Sequence, residues 1–340
     1  MRPGNETGCA MTERLAPGSR TRIAVITTSF PTHADDAAGH FVASELRQLV
    51  PARLRVFAPW PGARANGAPR LERRIIDGHP VEVQWLAGGD AFGWPGLAAR
   101  LREDRFRALG ATQFVASARR QVRAFAPERV IAHWALPSAW PIAPRGTALD
   151  IVSHGGDVRL LAALPRPLRA RLVRRLLAHA RSWRFVSESL REELACSLDE
   201  ALAASLRAFA TVQAPLLSCA VDDTKAAALR ASVPAGPVFV AVGRLVPTKR
   251  VDRIVEHLAA HAPAATLVVV GDGPERTPLE RLAERARLRT HFVGERPRSE
   301  ALAWIRAADW LCFASECEGA SCVLSEAQAL GTPVLAVPLG

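Results

Sequence analysis

At 340 residues, 49% hydrophobic and 23% charged, the chain is too long for one ordinary domain, comfortable for two, and too apolar to be disordered. Lys+Arg number 44 against 33 Asp+Glu, and the resulting +11 is almost wholly arginine, so anionic partners are favoured: nucleotides, sugar diphosphates or an acidic membrane surface. With 6% aromatic residues and no tyrosine, the chain lacks the stacking platforms of a single-strand nucleic-acid binder, and no nucleic-acid partner is expected.

Residues 1–18 mix Pro, Gly, Asn and charge without an apolar run, and read as a flexible tail rather than a secretory signal. Beyond them, short apolar runs alternate with helical periods. Strands are predicted at Ile23–Thr27, Leu54–Ala58, Val81–Trp85, Val130–His133, Leu149–Ser153 and Trp183–Val186. A second series follows at Val238–Val242, Thr266–Val270, His291–Val293, Trp310–Phe313 and Val334–Ala336. Helices are predicted at Phe41–Leu49, Thr112–Phe125, Leu168–Ala180, Val251–His261, Pro278–Ala286 and Ser299–Ala307. Uninterrupted apolar strands separated by helices imply parallel sheets covered on both faces, an α/β class.

Periodicity breaks between Ala214 and Pro237, through Pro215, Asp222-Asp223, Pro234 and Gly236-Pro237. The chain is therefore divided into a Rossmann-like domain over 19–217, a linker over 218–237 and a second Rossmann-like domain over 238–340. A cleft between two such domains, at the carboxyl ends of the strands, is the expected site. No window approaches the apolar length of a membrane span, and the six cysteines form no CxxC. The expected setting is cytoplasmic and reduced, at most peripheral on the inner face of a membrane.

Four loops at strand ends hold the candidate chemistry. The densest runs from Glu318 to Glu326: small Gly319, Ala320 and Ser321 allow close backbone approach, and the helix they open attracts phosphate. Capping by Ser321, with Glu326 on the helix face, explains the same residues equally well. In Val242-Gly-Arg-Leu-Val-Pro-Thr-Lys249, a buried strand ends at Gly243 and Arg244 and Lys249 follow. They could hold a diphosphate as a fork and a point charge, where other enzymes use a metal. In Ser153-His-Gly-Gly-Asp157, His154 and Asp157 could orient a substrate or share a proton. Gly39, ahead of the first helix, could admit a phosphate, and His133 ends a neighbouring strand. No Asp-x-Asp, GxSxG, HExxH or GxxxxGK[ST] occurs, so neither a metal nor any other cofactor is expected. A basic amphipathic stretch sets Leu168, Leu172, Val173, Leu176, Leu177 and Ala180 against Arg169, Arg171, Arg174, Arg175 and Arg181. It is a core-packed helix with a solvated face or a contact for anionic lipid.

From about Thr21 to Gly340 the chain resembles the GT-B glycosyltransferases of the large retaining family four. The resemblance rests on GHFV at Gly39, SHGGD at His154, VGRLVPTK at Gly243, VVVGDGPE at Gly271 and ECEGASCVLSEAQALGTPVLA from Glu316 to Ala336. It implies two Rossmann-like domains facing across a cleft, the first binding the acceptor and the second a nucleotide-sugar. Arg244, Lys249 and the amides of Gly319, Ala320 and Ser321 would hold the donor diphosphate, with Gly39 near it. Glu318 would grip the transferred sugar, Glu326 the ribose, and the segment ending at Gly294 the base. His154 would face the sugar; His133 and Asp157 are candidates for the acceptor side or the cleft. The implied reaction is metal-independent transfer from a UDP- or GDP-sugar to a glycan or lipid-linked acceptor, with retention, in cell-envelope polysaccharide synthesis. The family continues past GTPVLA and commonly has Gly where Arg250 stands, so the second domain is expected to be shortened. The competing expectation is a non-catalytic, truncated homologue that binds nucleotide-sugar or a partner.

Overall fold

The computed structural model describes residues 21–33, 35–49, 53–60, 68–76, 79–92, 97, 100–101, 104–315 and 321–338. The chain divides into two compact units, one of residues up to 30 with 38–213, the other of 31–37 with 214–340.

The first unit is built on β1 (Arg22–Ile26), β2 (Arg53–Pro59), β3 (Arg70–Ile76), β4 (His79–Leu86), β5 (Arg129–His133), β6 (Ala148–Ser153), β7 (Ala180–Phe185) and β8 (Thr211–Val212). They form one sheet in the order β3-β4-β2-β1-β5-β6-β7-β8, parallel at every pairing but β3–β4. Its helices are α1 (His40–Glu45), α2 (Arg107–Phe125), α3 (Gly156–Ala162), α4 (Arg166–His179), α5 (Glu188–Ala195) and α6 (Glu200–Phe209). Ile23, Ala24, Val25 and Ile26 are all solvent-free, so β1 is covered on both faces and shows no alternation. Phe114, Ala118, Val122 and Phe125 recur at helical spacing and bury one stripe of α2. Because β2 and β5 flank β1, the strand order reverses there, and the ends of β1 and β5 open the crevice where such folds bind ligands.

The second unit contains α7 (Asp223–Ala231), β9 (Val238–Val242), α8 (Val251–His261), β10 (Thr266–Val270), α9 (Arg276–Arg285), β11 (Arg289–Gly294), α10 (Arg298–Ala307), β12 (Trp310–Phe313), α11 (Cys322–Leu330) and β13 (Val334–Ala336). Its sheet is parallel throughout, in the order β11-β10-β9-β12-β13. Phe239, Ala241, Leu267 and Val269 pack with Ile254, Val255 and Leu258 of α8 on one face. The intervening Val238, Val240, Val268 and Val270 pack with Leu302 and Ile305 of α10 on the other. Each such large side chain contributes about 1.5–3 kcal/mol by leaving water. Strand order reverses between β9 and β12, which sets a second crevice at their carboxyl ends.

Besides α3, α5, α6 and β8, which the sequence reading did not list, the structure departs from it in three places. Strand β3 was not expected because Leu71, Arg73 and Ile75 face solvent, and its charged Glu72 and Arg74 cover Trp85. Residues 218–237, read as a linker, lie in the second unit and hold α7. Asp222 caps this helix, accepting from the amides of Thr224 at 2.9 Å and Lys225 at 3.3 Å, and Lys225 pairs with Glu300 of α10 at 3.3 Å. Residues 31–37 also belong to the second unit, where the Asp35 carbonyl accepts from the Arg298 amide at 3.1 Å.

Candidate functional site

In the second unit the carboxyl ends of three strands are stitched together through glycines. Gly243 donates its amide to Val270 and Gly271 donates to Gly294, each at 2.9 Å. A Cβ on Gly271 would lie 1.9 Å from the Gly243 carbonyl oxygen, so only glycine permits this approach. Leu245 donates to Asp272 at 2.9 Å and Glu275 back to Leu245 at 3.1 Å, fixing the loop after β9 against the loop after β10.

This floor positions Arg244 and Lys249, which line one pocket with Gly243, Ser315 and Val323. Lys249 ends the short Pro247–Lys249 turn, and Arg250 next to it adopts a left-handed φ of 47°. That conformation explains why glycine suits this position; here arginine occupies it and its guanidinium pairs with Asp252 at 3.0 Å. Burial holds the Lys249 ammonium down to about 8, and the Arg244 charge pushes the same way. Burial lowers Arg244 as well. Desolvated cations lining a pocket at a sheet switch point are arranged to receive anionic charge.

Glu326 lies on α11 and is buried, with its Oε1 accepting from Arg298 at 2.8 Å and 3.2 Å. Arg298 escaped sequence reading because nothing distinguishes it from the other arginines until α10 and α11 come together. Cys322 opens α11, and burial pushes its thiol up to about 12, so it is no nucleophile at neutral pH. Ser321 occupies the N-cap position in extended backbone, but its side chain makes no capping bond. Gly294 ends β11 with a φ of 78°. Glu318, Gly319 and Ala320 lie outside the described residues. Among the described residues, no three His, Cys, Asp or Glu side chains cluster as metal ligands do.

In the first unit the ends of β1, β5 and β6 gather Gly39, His133 and His154. Gly39 has a φ of 68°, and a Cβ there would meet the Ser29 carbonyl oxygen at 2.4 Å, so glycine is required to start α1 beneath that loop. His133 Nδ1 and His154 Nε2 lie 3.0 Å apart with the rings stacked at 19°. Phe41 and Trp134 bracket His154 at centroid distances of 4.6 and 4.9 Å. Trp134 itself holds a φ of 70°, an unusual backbone for a bulky residue, fixed by its amide donating to Val152 at 2.7 Å. Behind His133, Glu45 accepts from Arg184 at 2.6 Å on both oxygens, and Glu45 Oε2 lies 3.9 Å from His133 Nε2. Burial raises Glu45, with Arg184 opposing. Burial and then the Arg184 charge hold His133 down to about 3, and burial, then His133, then Arg184 hold His154 well below its ordinary value, so both rings are neutral. Arg184 carried a legible signal: a charge within an apolar strand needs a buried partner.

Asp157 corrects one expectation. It is 1% exposed and shares no proton with the His154 ring; its carboxylate accepts from Ser153 Oγ at 2.6 Å and from the amides of Ala135, His154 and Gly155 at 2.7, 3.2 and 3.2 Å. It knits the loop that presents His154. Arg169 corrects a second. It is 7% exposed rather than on the solvated face of α4, and its Nη1 donates to the Ala162 carbonyl at 2.5 Å.

Residues 228–340 match the family described as glycosyl transferases group 1. The D-inositol 3-phosphate glycosyltransferase of Jonesia denitrificans is 36% identical over 120 residues, 32% of this chain and 28% of that protein. The 2-deoxystreptamine glucosyltransferase of Streptomyces kanamyceticus is 37% identical over 110 residues, 31% of this chain and 28% of its own length. The aligned part of this chain thus spans less than a third of either relative. Among solved structures, the sucrose-phosphate synthase of Thermosynechococcus elongatus superposes with a TM-score of 0.62 at 21% identity, covering 93% of this chain and 81% of that one. Anabaena HepE, solved in complex with UDP-glucose, gives 0.61 at 17% identity over 93% and 80%. Each unit has the Rossmann-like fold, and the chain shares its fold with these structures.

Proposed function

We propose, from the match of residues 228–340 to the group 1 glycosyltransferases, that this chain transfers a sugar from a UDP- or GDP-sugar to a glycan or lipid-linked acceptor. One observation carries the reading: Arg244 and Lys249 line a single pocket with Val323, in the first turn of α11, at the point where the second sheet reverses order. Diphosphate seated there meets a forked cation, a point charge and a helix N-terminus. These groups stabilise negative charge as it develops on the leaving diphosphate, the part a metal ion takes in other transferases. In the same proposal Glu318 grips the transferred sugar, His154 accepts a hydrogen bond from a substrate hydroxyl, and the leaving phosphate takes the acceptor's proton in a transfer with retention. The same reading sets the reaction in envelope polysaccharide synthesis, on the inner side of a membrane. The exposed arginines of α4 supply a contact for anionic lipid.

Glu318→Ala is the direct test. Transfer measured over a panel of nucleotide-sugars should fall by at least about a hundredfold, with the circular dichroism and melting of the chain unchanged. An unaffected rate removes Glu318 from the mechanism, and no turnover of any donor by the unmodified chain removes the enzyme.

A further inference from the structure

We infer that His133 is a positioning residue that fixes the tautomer of His154, leaving His154 Nδ1 as a hydrogen-bond acceptor. The inference deepens the reading above, since the hydroxyl that Nδ1 would meet belongs to that reaction's substrate.

The argument is one of proton counting. Both imidazoles are neutral, so each has one N–H to place. A single proton occupies the 3.0 Å gap between His133 Nδ1 and His154 Nε2, and two arrangements are open. In the first, His133 donates from Nδ1, and its bare Nε2 lone pair faces Glu45 Oε2, an oxygen that already accepts from Arg184, at 3.9 Å. In the second, His133 keeps its proton on Nε2, directed at that carboxylate, and accepts at Nδ1 from His154 Nε2–H. Lone pair facing acceptor oxygen disfavours the first, and an N–H dipole directed at an oxygen held as acceptor by Arg184 favours the second. Arg184 pins the carboxylate, donating to both of its oxygens, so Glu45 is the common acceptor on which Arg184 and the His154-to-His133 relay converge. The ring of His154 cannot turn to choose differently, being held between Phe41 and Trp134. His154 Nδ1 makes no hydrogen bond among the described residues and is left as the acceptor.

The test reads the tautomers directly, by long-range nitrogen–proton correlation on the full-length, nitrogen-15-labelled chain without donor, with assignments from His154→Gln and His133→Asn. Protonated and bare imidazole nitrogens are well separated in such spectra. The expected result is a proton on Nε2 of both His133 and His154. His133→Asn, whose Oδ1 stands where Nδ1 accepts, should keep the His154 tautomer. His133→Leu should give a mixture of tautomers, with kcat lowered on the order of tenfold, as when other outer partners of a functional histidine are removed, and KM little changed. A bare Nε2 on His154 in the unmodified chain overturns the inference. So does an unchanged tautomer in a His133→Leu chain with native circular dichroism; if that variant fails to fold, the unmodified and His133→Asn spectra decide. If the tautomers are as expected but no nucleotide-sugar is bound or consumed, the catalytic reading fails and the tautomer assignment stands.

Discussion

Lys249 shows how one side chain can serve binding at the expense of the empty protein. Its pKa of about 8 in the folded chain lies below the ordinary lysine value, because burial and Arg244 both disfavour the ammonium. The unfolded chain therefore binds the proton more tightly, and the stability of the ligand-free protein should rise as pH climbs through and above 8. Affinity for diphosphate should move the opposite way, since the cation that holds it is being lost. Between pH 7 and 9, calorimetry with whichever of UDP or GDP binds should show affinity falling by about tenfold, then levelling where Arg244 alone remains charged. Lys249→Met should flatten that profile; a steep profile in the variant would assign the titration elsewhere. Glu326 behaves differently because the half-buried Arg298 guanidinium lies 2.8 Å from it. Glu326→Gln should destabilise the second unit by about 2 kcal/mol, since it removes the charge opposite a half-buried guanidinium, and Arg298→Met in the same chain should restore much of the loss. If denaturant titration shows the double variant no better than the single, the pair is not what fixes α11 against α10.

At the scale of elements, the buried strands were legible because residues such as Val238–Val242 and Thr266–Val270 are apolar on both faces, a pattern that needs no partner to interpret. Strand β3 and helix α7 were not. The first hides its alternation under charge at an exposed sheet edge, and the second lies between proline-rich breaks and is held by Asp222 and by Lys225–Glu300, a contact 75 positions apart in sequence. Helix α4 was half legible. Leu172, Val173 and Leu176 are buried as their spacing implies, but Arg169 turns inward to carbonyls at the end of α3, which helical spacing alone cannot reveal. The face left outside presents Arg171 and Arg174, with Leu168 44% exposed at the helix start. Exposed arginines beside an apolar foot favour an anionic bilayer surface, at about 1 kcal/mol per charge. Replacing Arg171, Arg174 and Arg175 by Gln should lower co-sedimentation with phosphatidylserine vesicles by about a hundredfold at low salt, and leave neutral vesicles unaffected. Arg119, Arg120 and Arg123, which line a groove on α2, are the internal comparison: if their replacement lowers binding and that of the α4 residues does not, α4 is the wrong face.

In each of the two sheets the order of parallel strands reverses, at β1 and between β9 and β12, and most of the described candidate residues sit near those reversals. Sequence alone could place a site at strand ends but could not say which ends are neighbours. That Gly243, Gly271 and Gly294 form one floor depends on β9, β10 and β11 being adjacent, and that His133 meets His154 depends on β5 lying beside β6. Asp157, three residues from His154, looked like its proton partner; its short reach and four nearby donors commit it to the loop instead. The same topology predicts where a nucleotide will be felt. A ligand at a hundred times its Kd stabilises the state that binds it by about 2.7 kcal/mol. Amides that exchange only through opening of the second unit should then slow by about a hundredfold, and the largest local protection should fall in the loop from Gly243 to Lys249 and in the first turn of α11. Hydrogen exchange with UDP and with GDP, each at saturation, reads this residue by residue. Protection centred on those segments for one base and not the other would identify the donor's nucleotide. No protection with either would leave the arginine, the lysine and the helix N-terminus without a diphosphate to hold, and the chain would then be a binding subunit rather than a transferase.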